Sequence, residues 1–261
     1  LIRTYLVVAA LTFVHSVLWF AVALRLKRND VADVAWGLGF LLAAAASYAL
    51  NGAAVDRGLL VTALTAVWAL RLSIHIHGRN RGKGEDRRYA EWRRQWGSRF
   101  RLRAFLQVFL LQWLLMLVVV LPVVAVNVRR GGAATPLDVL GVGVWLAGFV
   151  FEAVGDRQLA AFVRDSSNQG RILQTGLWRY SRHPNYFGET AQWWGLALIA
   201  LSTPGGWTGL IGAAAITFLI LKVSGIPLLE ESMSRKPGYE SYRDRTSRFF
   251  PLPPRSGNSY F

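Results

Sequence analysis

Long apolar blocks alternate with basic loops along this chain, and that alternation leaves few folds open. Seven stretches, roughly 5–24, 31–50, 58–76, 104–126, 137–158, 187–202 and 207–226, approach the ~20 apolar residues a helix needs to cross a bilayer. The loops after the first, third and fifth stretches, together with the tail from Lys222, hold 25 Lys and Arg. The opposite side holds Arg3, Arg57, Arg129 and Arg130. Cations gather on the cytoplasmic side of membrane proteins. The split therefore predicts an all-α polytopic membrane protein of seven transmembrane helices, N-terminus outside and C-terminus cytoplasmic. Residues 1–24 read as a span and not as a cleaved signal. No internal repeat or flexible linker interrupts the chain, so 1–261 reads as a single domain.

Composition narrows the chemistry. The chain is 53% hydrophobic yet carries a net charge of +15, with no cysteine and four histidines. A disulfide scaffold, a cysteine nucleophile and a thiolate metal site are excluded, and no H-E-x-x-H is present, so no metal site is expected. The basic loops adjoin a bilayer and carry no recognisable nucleic-acid module, which argues against nucleic acid as a partner. Topology and attraction to anionic membrane lipids give the ordinary account of most of these cations.

Ionisable residues inside the spans need a different account, because charge in the bilayer is costly and usually lines a bundle interior or a cavity. Arg71 and His75 share a face near the inner end of the third span. Glu152 and Asp156 do the same in the fifth, Asn185 and Glu189 in the sixth, and Asp33 opens the second. Several such groups at one depth favour a cavity open to the cytoplasm. His15 sits mid-span and alone, as an interhelical hydrogen-bonding histidine would.

The segment GLWRYSRHPNYFGE (176–189) is the most informative. Pro184 ends any preceding helix and suits the first turn of the next. Arg179, Arg182 and His183 stand beside that positive helix start, with aromatic faces from Trp178, Tyr180 and Tyr186. This combination suits a phosphorylated aromatic ligand. Neither a complete Rossmann glycine fingerprint nor a P-loop is present.

That segment, with Asp156-Arg-x-Leu upstream and EES…GYESYRDRTSRFFP downstream, resembles the steroid 5-alpha-reductase family in its bacterial branch of uncharacterised membrane reductases. RLSIHIHGRNRGKGEDRRY (71–89) resembles that branch too. The resemblance implies seven helices and NADPH bound from the cytoplasmic side by a part spanning about 71–96 and 150–255. It implies that Asn185 and Glu189 lie near the nicotinamide and its ribose, with Asp156 on the preceding helix. Arg164, Asn80 and Arg81 match further cofactor-binding positions. Arg171, Arg179, Tyr180, Arg182, His183, Tyr186, Tyr242 and Arg248 fall in or near the surrounding segments. A bacterial inner membrane is the implied location, with the cofactor site facing the cytoplasm.

At the acid end the chain departs from the family. Trp36 is followed by Gly-Leu-Gly-Phe, where steroid-reducing members carry a glutamine–glutamate pair, and His75 stands near their span-3 tyrosine. The implied reaction is reduction of an activated C=C bond in a lipophilic enone, such as a 3-oxo-Δ4 steroid or related lipid, entering from the bilayer. His75 is the first expectation for the proton donor, with Asp33 and Tyr89 as the others. A second family shares part of the signature. Isoprenylcysteine carboxyl methyltransferases also show RHPxY followed by EE…Y…T-x-R, so S-adenosylmethionine-dependent methyl transfer stays open as the alternative. The oligomeric state has no signature in the sequence.

Overall fold

The computed structural model describes residues 2–54, 56–129 and 131–255; Arg130, one of the four cations counted on the outer side, lies outside them. Every regular element among the described residues is helical. Six stretches are long and apolar enough to cross a membrane: Ile2–Leu26, Val31–Leu50, Arg57–Asn80, Arg87–Val119, Pro136–Arg164 and Gly206–Met233. They mark an integral membrane protein. The expected span 187–202 lies on a helix, Pro184–Leu201, that stands outside this set. Its first half carries Asn185, Glu189, Thr190 and Gln192, which dilute the apolar run.

The elements are α1 Ile2–Leu26, α2 Val31–Leu50, α3 Arg57–Asn80, α4 Arg87–Trp96, α5 Phe100–Ala104, α6 Leu111–Val119, α7 Leu121–Asn127, α8 Pro136–Arg164, α9 Pro184–Leu201, α10 Gly209–Phe218, α11 Ile226–Met233 and α12 Tyr239–Arg245. Wider π turns at Phe105–Leu110 and Leu219–Val223 join α5 to α6 and follow α10. Local chemistry sets several starts. Asp56 and Asp86 cap α3 and α4 by accepting from the backbone N–H of Gly58 and Arg88. Pro136 and Pro184 open α8 and α9, where the missing N–H costs nothing.

The chain forms two compact units, Leu1–Asp138 with Ala197–Gly212 and Val139–Leu196 with Ala213–Phe261. In the first, α2 and α3 approach so closely at Gly37 that a Cβ there would lie 2.8 Å from the carbonyl oxygen of Ala69. Small residues allow such contact between membrane helices, where packing replaces the hydrophobic drive. Polar groups then act as ties. Ser73 donates to the Val34 carbonyl at 3.1 Å, and a ring nitrogen of His15 meets the Ala35 carbonyl at 3.0 Å, an interhelical bond as its lone mid-span position suggested. At the far end of α3, Arg57 forks onto Asp138 at 2.7 and 2.8 Å.

In the second unit, α8 and α9 run antiparallel along glycines spaced by sevens. A Cβ at Gly148 would lie 2.6 Å from the carbonyl of Gly188, and one at Gly195 would lie 2.6 Å from that of Gly141. This close seam sets the polar residues of α8 directly against those of α9.

Candidate active site

The second unit assembles most of the expected cofactor residues. Just beyond the glycine seam, Asn185 donates to Asp156 at 3.0 Å, joining the first turn of α9 to α8. Gln192, two turns further along α9, donates to the buried Glu152 at 2.5 Å. Residues 185, 189 and 192 share one face of α9, so Glu189 stands between these two bonds. The hydroxyl of Thr190 and the amide oxygen of Gln192 are buried without a hydrogen-bond partner among the described residues. Buried polar atoms of this kind ordinarily find one.

The segment before α9 is held by a second network. Glu230 of α11 receives Arg182 at 2.6 and 2.8 Å, His183 at 3.4 Å and Arg248 at 3.2 Å. Arg182 is 8% exposed and also donates to the carbonyls of Arg243 and Thr246 at 2.9 and 2.8 Å. His183 stacks on Tyr186 at 6.0 Å. Burial, helped by the Arg182 and Arg248 charges, holds the His183 imidazole below its ordinary value against the opposing pull of Glu230. Tyr242 donates to the Trp178 carbonyl at 2.6 Å, and burial raises its phenol. In this structure Arg182 and Tyr242 fasten the 176–184 segment to the C-terminal helices. Arg164, Arg171, Arg179 and Tyr180 are exposed.

The other expected residues belong to the first unit. Tyr89, 5% exposed on α4, donates to Asp33 in the first turn of α2 at 2.7 Å. Arg88 approaches the same carboxylate at 3.6 Å and bonds Asp86 at 3.1 Å. His75 lies half-buried on α3. Asn80 ends α3 and Arg81 follows it, exposed. The stretch 80–93 is folded onto residues 28–33. Arg28 forks onto Asp30 at 2.9 and 2.7 Å and donates to the Lys83 carbonyl at 2.8 Å. Glu85 accepts from the Asn29 backbone at 2.7 Å and from Arg93 at 2.9 Å.

Sequence reasoning missed Gln192, Glu230 and Glu85 as participants. Gln192 falls seven residues after Asn185, and that helical spacing was the readable sign. Glu230 sits in the EES motif, but its three cationic partners come from 182, 183 and 248, which periodicity does not connect.

Comparison with known proteins gives these groups a family setting. A family model described as Protein of unknown function (DUF1295) matches residues 19–246. The chain is 34% identical over 70 residues to 3-oxo-5-alpha-steroid 4-dehydrogenase 1 of Macaca fascicularis and 33% identical over 70 residues to that of Homo sapiens. Each match takes in 27% of this chain and spans only 27% of the dehydrogenase's own length. An uncharacterized protein of Schizosaccharomyces pombe is 27% identical over 282 residues, covering 90% of this chain and 76% of its own. No solved structure matches. Because the family model takes in most of the sequence, the chain belongs to the DUF1295 family, and over the 70 matched residues it is similar to steroid 5-alpha-reductases.

Proposed function

We propose that the chain is a membrane-embedded, NADPH-dependent reductase of an activated C=C bond in a lipophilic enone. The observation that carries this reading is the Asp156–Asn185 bond beside Glu189, in a chain with steroid-dehydrogenase relatives. The donor set suits a nicotinamide dinucleotide. An amide and a carboxylate one turn apart can serve a carboxamide and ribose hydroxyls, and the unsatisfied Thr190 and Gln192 atoms offer further polar contacts. In this reading α9 is the sixth of seven crossings, the N-terminus lies outside, and the cofactor-binding residues face the cytoplasm of a bacterial inner membrane.

When bound, NADPH supplies the hydride that adds to the β-carbon of the C=C. The chain must then hold the charge that develops on the substrate's carbonyl oxygen and supply a proton to the α-carbon. In this scheme Tyr89 and Asp33 share a proton across their hydrogen bond, and Arg88 keeps positive charge beside that carboxylate. His75 is the other donor in this scheme. The substrate, an apolar 3-oxo-Δ4 steroid or related lipid, enters from the bilayer.

The test is consumption of reduced nicotinamide by purified protein, dependent on a lipid enone. Asn185→Ala and Glu189→Ala should each weaken NADPH binding by about 10-fold. His75→Ala should lower kcat roughly 100-fold with cofactor affinity unchanged, as expected of a group acting on the transition state. If S-adenosylmethionine raises the melting temperature and NADPH does not, methyl transfer replaces reduction.

A further inference from the structure

The second unit holds an open cleft of about 650 Å³ lined by Gln174, Thr175, Arg179, Arg245, Thr246 and Arg255, among others. Three arginines line it. Among the described residues none of the three forms an ion pair with a carboxylate, whereas Arg182 and Arg248 in the same unit share Glu230. Topology explains why cations lie on this side of the chain, but it does not require them to meet in one concavity.

The walls are built by backbone bonds, so the guanidiniums are largely spared from holding the fold. The Arg255 N–H donates to the Arg245 carbonyl at 2.9 Å, setting those residues side by side. The Leu252 N–H donates to the Tyr180 carbonyl at 3.0 Å, tying the C-terminal stretch to the segment that carries Arg179. Gly176 has φ +62°, and the side chain of Gln158 occupies the place its Cβ would take. Of the three arginines, Arg245 alone has side-chain bonds among the described residues, to the Ser241 carbonyl at 3.2 Å and to Gln174 at 3.3 Å.

We propose that this cleft is a binding site for a phosphate monoester, held by Arg179, Arg245 and Arg255. A dianionic phosphate offers oxygens to more than one guanidinium fork, and arginine is the side chain suited to that geometry. The cleft exceeds a single phosphate, so it accommodates the group together with the moiety that bears it. Two sources share this chemistry: a nucleotide bearing a terminal phosphate, and a lipid with a monoester headgroup. The inference does not depend on the reductase reading.

The experiment uses the full chain in phosphatidylcholine nanodiscs. One arm titrates adenosine 2′,5′-bisphosphate, and the other replaces part of the lipid with phosphatidic acid. Saturable binding of the nucleotide, weakened about 10-fold or more by Arg245→Ala and by Arg255→Ala, supports the site with a nucleotide source. Enrichment of phosphatidic acid around the protein, lost in the same variants, supports it with a lipid source. Arg245→Lys and Arg255→Lys should retain part of the affinity. If neither probe binds, or if both bind equally well to an Arg245→Ala, Arg255→Ala double variant of unchanged melting temperature, the proposal is overturned. Neither probe contains nicotinamide. Probe binding without NADPH oxidation would therefore sink the reductase reading alone, and oxidation without a phosphate site would sink the cleft alone.

Discussion

The two units differ in how the arginines around their polar clusters are paired. In the first, Arg28, Arg88 and Arg93 each meet a carboxylate among Asp30, Asp33, Glu85 and Asp86, and the loop after α3 is closed by those pairs. In the second, Arg182 and Arg248 share one carboxylate and Arg235 and Arg243 meet exposed ones, while Arg179, Arg245 and Arg255 have none among the described residues. Paired charge of the first kind is committed to structure, and its loss should read out as stability. Unpaired charge gathered in a cleft is available to an anion, and its loss should read out as binding.

The largest effect should come from Glu230, whose partner Arg182 is the buried cation of the second unit's ion pairs. Glu230→Ala leaves Arg182 buried without its counter-ion, a change that costs on the order of 3–5 kcal/mol. The expected result is a large fall in melting temperature or loss of folded protein. Glu230→Gln should be milder, since an amide oxygen still accepts from Arg182. A melting temperature unchanged in both variants would show that the two carbonyl bonds of Arg182 suffice.

A smaller loss, about 2 kcal/mol, is expected for Glu85→Ala in the first unit. The Asn29 N–H loses its acceptor, and Arg93 loses its fork but keeps the face of Phe100 at 4.0 Å. Because Arg93 is partly exposed, water compensates in a way closed to Arg182. Thermal unfolding of the two alanine variants side by side tests the contrast. A loss at Glu85 equal to that at Glu230 would erase the distinction between the units.

How far the sequence reaches differs by feature. The helices were legible because hydropathy and cation placement act locally, and Pro184 marked the start of α9. Whether α9 crosses was harder to read, since the residues that make it chemically interesting also lower its hydropathy. The seam between α8 and α9 went unread, although Gly141, Gly148, Gly155, Gly188 and Gly195 carry a spacing of seven that keeps them on one face of each helix. The closure of residues 80–93 was not legible. Its bonds join positions more than fifty residues apart, and in the sequence Glu85 and Asp86 look like two acids lost in a basic loop. For the same reason the resemblance could assign Arg182 and His183 to a cofactor segment without revealing their ties to Glu230.

The smallest effect separates two forces acting on one group. Burial lowers the proton affinity of His183, while the Glu230 carboxylate raises it and Arg182 and Arg248 lower it. In the neutral ring Nε2 donates to Glu230 at 3.4 Å, and Nδ1 is buried without a hydrogen-bond partner among the described residues. Protonation would place an N–H there with nothing to accept it. The folded value therefore lies below that of an unfolded histidine, about 6.5. Below that pH the unfolded chain takes up a proton that the folded chain refuses, so this contribution is full above pH ~6.5 and is lost as the pH falls toward the folded value. Comparing wild type with His183→Gln by chemical unfolding across this range isolates it. The stability advantage of wild type should shrink on acidification. An advantage that grows instead would mean that attraction to Glu230 outweighs burial, and that the second unit commits this charge to structure as fully as the first unit does its own.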